Sequence, residues 1–312
     1  MILVYNLFPS NHHEIFSTRK NYFDKKDLVI TKNWIKAHVI TSCTIDRIKA
    51  FIDRHSTAKN KVFLVYTHEP RWDTNHGKFV TYKKRRIHIM NCYTGDVYAT
   101  PFGYFSNNYK QPPKFRDNKL KKEKYHHKIV IFASAHKALH GTVREDLTKL
   151  RYNVPLEIKR KYSSAIDIFG AGWPPGTYIR NTRMASNSIN EKMGLLKNYY
   201  FNICFENTNV KNYISEKLWQ SVSGGCLPIY WGNPWVYKIF PKNSFIDYRN
   251  FKNPIALLNF IKKMPWEEFI RRYELCKNAI LKIPNEIRVM DKRIKIQALM
   301  KRLTPLIRNL KI

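Results

Sequence analysis

The chain has 312 residues, 44% of them hydrophobic and 14% aromatic, with 56 Lys and Arg against 23 Asp and Glu for a formal net charge of +33. This apolar content excludes a disordered chain, and the length suits two α/β cores better than one. No run of about 20 apolar residues occurs, so neither a membrane anchor nor a signal peptide is expected. The five cysteines (Cys43, Cys92, Cys204, Cys226, Cys276) are odd in number and fit no zinc spacing, so reduced thiols in a cytoplasmic protein are expected.

In chain order, the apolar residues 2–8 read as a first strand, and the continuous apolar run 61–67 reads as a buried parallel strand that ends in His68-Glu69-Pro70. Residues 82–86, Tyr-Lys-Lys-Arg-Arg, form a basic and aromatic patch. The polar, Pro-containing and cation-rich segment 107–127 has the composition of a linker. Domains are therefore placed at 1–120 and 128–285, with a tail at 286–312. The second domain opens with a strand at 128–134, followed by Arg144 at a helix start and a strand around Asp167. Residues 199–205 predict another strand, and the Asn-rich segment 206–212 a loop leaving it. Ser215 caps a helix over 216–224 with Gly225 as its stop, and residues 226–230 form the next strand.

In such a strand, loop and helix unit, the unpaired N–H groups of the first helical turn face the crevice at the strand ends, where phosphates bind. Lys217 adds a full positive charge there, and the Glu216 carboxylate suits two vicinal ribose hydroxyls. Alternatively, Glu216 and Lys217 are simply a solvated helix start. Asn207 can bond sugar hydroxyls or phosphate, and Tyr213 can either reach a phosphate or pack in the core. No Asp-x-Asp pair stands in a suitable loop, so no metal cofactor is expected to be required, and Asp167 reads as structural.

The segment 201–232 contains Phe-x-x-x-Phe-Glu-Asn-Thr, then Tyr-Ile-Ser-Glu-Lys, then Gly-Cys-Leu-Pro-Ile-Tyr-x-Gly. These boxes closely resemble those of the α1,3-fucosyltransferases of glycosyltransferase family 10. Upstream, residues 90–97 with 100–104, and Arg144 followed by Asp167 to Gly170, resemble weaker signatures of the same family, with the family's Arg and second acid missing near Asp96 and with Ala135 in place of an Asn. The resemblance implies a GT-B fold, two Rossmann-like domains facing each other across a cleft, and an inverting transfer of fucose from GDP-fucose to a hydroxyl of a glycan, a GlcNAc-containing one in α1,3 linkage. It implies Glu69 as the catalytic base, Arg144 and Lys217 as the phosphate cations in place of a metal, Glu216 as the ribose contact, and Asn207 and Tyr213 as donor contacts. Two other readings stand beside it: a GT-B transferase using another nucleotide sugar, and a non-enzymatic polyanion-binding protein.

The charge exceeds what a dianionic donor requires. Specific nucleic-acid binding is not expected, because no reading module accompanies the basic patch. In the tail, Ile296, Leu299, Met300, Leu303, Ile307 and Leu310 recur at helical spacing, with Lys and Arg on the other faces. Such a helix either lies peripherally on an anionic membrane surface or packs on the protein's own first domain.

Overall fold

The computed structural model describes residues 1–7, 28–67, 79–91, 114–135, 146–182, 188–210, 213–283, 297 and 299–310. The chain divides into two compact units, one formed by residues 1–108 with 286–312 and the other by residues 109–285.

The first unit is built on a six-stranded sheet in the order β2-β1-β3-β4-β6-β5. Its strands are β1 (Ile2–Asn6), β2 (Leu28–Ile30), β3 (Val39–Ser42), β4 (Val62–Thr67), β5 (Phe79–Tyr82) and β6 (Arg85–Asn91). All neighbours run parallel except β5, which pairs antiparallel with β6. Parallel strands covered on both faces need continuous apolar runs, and Val62 to Tyr66 supply one, each at most 4% exposed. One face packs on α1 (Ile45–Arg54) through Ile48, Phe51 and Ile52. The β5–β6 turn is Lys83-Lys84, with φ of 45° and 61°. Two successive left-handed residues are the demand of a tight hairpin, usually met by Asn-Gly. Here Asp53 on α1 accepts from Tyr82 and pairs with Lys83 at 2.6 Å, which holds the turn in place.

The opposite face of this sheet is covered by a C-terminal helix, α7 (299–308). Leu299 and Leu303 are fully buried and Ile307 nearly so, in one cluster with Ile2, Val4, Leu28, Val39, Leu64, Tyr66 and Met90. Of the apolar stripe read from the tail, Leu299, Leu303 and Ile307 therefore pack in the first unit's core, with Met300 and Leu310 partly buried against it, and Ile296 lies outside the described residues. Its exposed faces carry Lys301 and Arg308. Among the described residues, no helix is long and apolar enough to cross a membrane.

The second unit holds a five-stranded, all-parallel sheet in the order β11-β10-β9-β7-β8, formed by β7 (Ile129–Phe132), β8 (Ile166–Phe169), β9 (Phe201–Ile203), β10 (Leu227–Tyr230) and β11 (Ile246–Asp247). The crossovers are α2 (Thr148–Lys161) between β7 and β8, α3 (Ser188–Leu196) between β8 and β9, and α4 (Glu216–Ser223) between β9 and β10. Helices α5 (Pro254–Lys262) and α6 (Trp266–Leu281) follow the last strand. The order reverses direction between β7 and β9, which makes their carboxyl ends a topological switch point.

Of the segment expected to be a linker, residues 114–127 belong instead to this second unit. Across residues 114–127, Lys119 donates to the carbonyl of Leu196 at 2.9 Å, Tyr273 donates to Asp117 at 2.9 Å, and Tyr125 donates to the carbonyl of Met264 at 3.0 Å. The Tyr125 ring lies 5.3 Å from those of Tyr200 and Phe269. Composition missed this because one aromatic ring and one buried ammonium anchor an otherwise polar stretch. The unit boundary thus falls near residue 108 rather than 120, and the tail rejoins the first unit.

Candidate functional site

The carboxyl ends of β7 and β9 carry a narrow crevice lined by Ile131, Phe132, Ala133, Asn202, Ile203, Cys204 and Phe205. Three cations also line it, Arg151, Lys192 and Lys217. In a parallel α/β sheet a crossover helix starts near the carboxyl edge, so its first turns lie beside the crevice. Arg151 is in the first turn of α2, Lys192 at the middle of the nine-residue α3, and Lys217 in the first turn of α4.

The loop from β9 to α4 is organised around Glu206, which is fully buried. Its carboxylate accepts from the Ser215 N–H at 2.7 Å, the Ser215 hydroxyl at 2.6 Å and the Tyr230 hydroxyl at 3.2 Å, with the Lys217 ammonium 3.6 Å away. Burial pushes the Glu206 carboxyl above its ordinary range, opposed by Lys217 and by the Ser215 donors. Ser215 in turn caps α4 by accepting from the Lys217 N–H, and its hydroxyl also accepts from the Lys217 ammonium at 2.9 Å. One hydroxyl therefore links the buried carboxylate to both donors of Lys217. A Cβ at Gly232 would stand 2.3 Å from the Tyr230 hydroxyl oxygen and 3.0 Å from Glu206 Cγ, so only glycine lets the chain pass this network. The predicted stop of α4 is where Gly225 adopts φ 75°.

Glu216 opens α4 with one carboxylate oxygen 3.4 Å from the Lys217 ammonium. The other oxygen, Oε2, is buried and accepts no hydrogen bond from the described residues. Burial works against ionisation at Glu216, but Lys217 and Lys192 outweigh it and hold the carboxyl below its ordinary range. An ionised, buried oxygen lacking a donor is costly unless a donor arrives, and a hydroxyl-bearing ligand supplies one.

Asn207 is buried at the loop start, where its carbonyl accepts from Leu147 N–H at 2.9 Å and its side-chain oxygen from the Thr208 hydroxyl at 3.1 Å. Tyr213 is 1% exposed, and that burial supports its packing role. Asp167 is structural, accepting from Tyr199 at 2.7 Å and pairing with Lys128 at 2.7 Å. The structure thus gathers Glu216 and Lys217, with Asn207 nearby in sequence on the same loop. Glu69 and Arg144 lie outside the described residues: β4 ends at Thr67, and α2 begins at Thr148. The signature around residues 92–104 lies outside them too. The motif reading passed over Lys192, Arg151 and the organising role of Glu206. The first two carry a signal, since each is a cation within two turns of the start of a helix that follows a strand.

These features define an α/β unit of the doubly wound class, with a cationic and carboxylate-bearing switch point suited to a phosphorylated, hydroxyl-rich ligand. Residues 143–274 match the model of the C-terminal domain of glycosyltransferase family 10 (fucosyltransferase). It is 38% identical over 87 residues to an α-(1,3)-fucosyltransferase FucT of Helicobacter pylori, a stretch covering 28% of this chain and 18% of that protein. It is 39% identical over 71 residues to a GDP-fucose protein O-fucosyltransferase 3 of Xenopus tropicalis, covering 22% of this chain and 15% of that one. The matched stretch thus spans less than a fifth of these curated relatives. In fold, the chain is similar to a crystal structure of an α1,3-fucosyltransferase, with a TM-score of 0.50, 18% identity, and coverage of 87% of this chain and 81% of the other. Two α/β units, each with a largely or wholly parallel sheet, place the chain in the GT-B class.

Proposed function

We propose that the protein is a fucosyltransferase that takes fucose from GDP-fucose and transfers it to a hydroxyl of a glycan. The observation that carries the reading is the first turn of α4, where a buried carboxylate oxygen of Glu216 without a donor stands beside Lys217 at a β-sheet switch point. A vicinal diol supplies the missing donors and a diphosphate meets the cation, which together describe a nucleoside diphosphate sugar. Both kinds of relative carry fucosyl transfer in their names, and one names GDP-fucose, which supports that donor.

In the proposed reaction the acceptor hydroxyl oxygen attacks the anomeric carbon of fucose as the bond to the β-phosphate oxygen breaks, inverting the configuration. Glu69, two residues beyond the end of β4, is assigned as the base that takes the hydroxyl proton. The charge that grows on the departing GDP is met by Lys217 and, by the family resemblance, Arg144, with no metal required. The relatives' names divide between α1,3 linkage and protein O-fucosylation; a GlcNAc-containing glycan in α1,3 linkage is our proposal for this chain.

The test is calorimetric titration of the full chain with GDP and UDP. GDP is expected to bind more tightly than UDP, and Lys217→Ala to weaken GDP binding about tenfold to a hundredfold, the loss typical of one charge-assisted contact. Equal, salt-sensitive binding of both nucleotides, untouched by the substitution, would instead indicate a general polyanion binder.

A further inference from the structure

We propose that Lys192 is a third cation of the donor site, set beside Arg151 and Lys217 to meet the diphosphate of the sugar nucleotide. The inference rests on the donor reading above and adds to it a residue that no motif marks.

Three helices from separate crossovers each bring one cation to the same crevice at the ends of β7 and β9. A diphosphate carries charge on several oxygens, and cations arriving from three directions can face different oxygens, as one lysine cannot. The crevice has a volume of only about 10 Å³, so it receives phosphate oxygens at its mouth rather than a whole nucleotide.

Among the described residues, Lys192 faces groups from β7, α2, α4 and the position after β9. Its ammonium donates to the Gln220 side-chain oxygen on α4 at 2.8 Å and lies 5.8 Å from the centre of the Phe132 ring at the end of β7. Its charged neighbours are Glu216 and Lys217 on α4 and Arg151 on α2, with the Cys204 thiol after β9. Lys192 has no ion pair of its own among the described residues: the nearest partner, Gln220, is neutral, and Glu216 is drawn to Lys217 at 3.4 Å. Burial brings the Lys192 ammonium down to about 8; Glu216 and Cys204 oppose this, while Lys217 and Arg151 add to it. A half-buried cation facing two others and one shared carboxylate is stabilised when an anion enters, and its proton is then held more tightly.

The proton gives a readout that a merely structural lysine would not move. GDP is titrated into the wild-type chain, Lys192→Arg and Lys192→Met from about pH 7 to pH 9, a range in which the terminal phosphate stays ionised. For the wild type, affinity is expected to hold near pH 7 and fall up to about tenfold by pH 9, because Lys192 loses its proton in that window. Lys192→Arg keeps its charge throughout and is expected to lose much less over the same range. Lys192→Met is expected to bind about tenfold or more weakly at pH 7, with the lysine-dependent part of the decline gone. Any titration of the guanine or of other protein groups is common to all three, so only differences between the profiles count.

Matching profiles in the wild type and Lys192→Arg overturn the assignment, even if Lys192→Met fails to fold. Equal affinity of Lys192→Met and the wild type at pH 7 overturns it as well. If the wild type itself does not bind GDP, the donor reading falls and this assignment falls with it; if it binds and the variants match it, only the role of Lys192 is lost.

Discussion

Replacing Leu303 by Asp is expected to abolish cooperative melting of the N-terminal unit while leaving the melting of the C-terminal unit in place. Leu303 is fully buried against strands of the first sheet, in one cluster with Ile2, Val4, Leu64 and Met90. A carboxylate there has no partner in the cluster, and burying an unpaired charge costs several kcal/mol in addition to the lost apolar contact. We expect a loss of about 5 kcal/mol or more, a large share of the 5–15 kcal/mol that stabilises a typical domain. Leu303→Ala should cost about 2–5 kcal/mol, and Lys301→Glu on the exposed face no more than about 0.5 kcal/mol. Scanning calorimetry of the three variants checks this. Wild-type melting of Leu303→Asp, together with lost binding to anionic vesicles, would show that the stripe serves lipid rather than the core.

The second large effect is expected at Glu206. Glu206→Ala strands the Ser215 N–H, the Ser215 hydroxyl and the Tyr230 hydroxyl, and it removes the carboxylate 3.6 Å from the Lys217 ammonium. Removing one partner from a buried charged network costs about 3–5 kcal/mol. For a unit of this size that is a fall in Tm of roughly 6–20 °C. GDP affinity should also drop, because Ser215 caps α4 and locates Lys217 through the same hydroxyl. Glu206→Gln retains the shape and one acceptor, and should lose clearly less stability than the alanine variant. A Glu206→Ala chain that melts within about 1 kcal/mol of the wild type would show that the network is dispensable.

How far the sequence could be read depended on the range of the physics involved. Ser215, the start of α4 and the stop at Gly225 were legible because capping is decided within a few residues. The parallel strands announced themselves as apolar runs, as at Val62 to Tyr66. Glu206 read only as a polar loop start, since its burial is created by Ser215 nine positions on and Tyr230 beyond the next helix. Lys192 and Arg151 gain their meaning from strand order, which places early helical turns from three crossovers at one edge. The C-terminal stripe was legible as an amphipathic helix, but periodicity states that a face must be covered without saying by what. Residues 107–127 read as a linker because composition averages over the few anchors, Lys119 and Tyr125, that tie residues 114–127 to the second unit.

The return of α7 to the first sheet also sets an order of events during synthesis. Residues 109–285 form one uninterrupted stretch and can complete their core as soon as they leave the ribosome. The first unit is emitted earlier yet lacks the cover for Ile2, Val4 and Leu64 until residues 286–312 appear. Its sheet thus has one apolar face bare while residues 109–285 are made, an interval in which a nascent chain is open to aggregation and to chaperone capture.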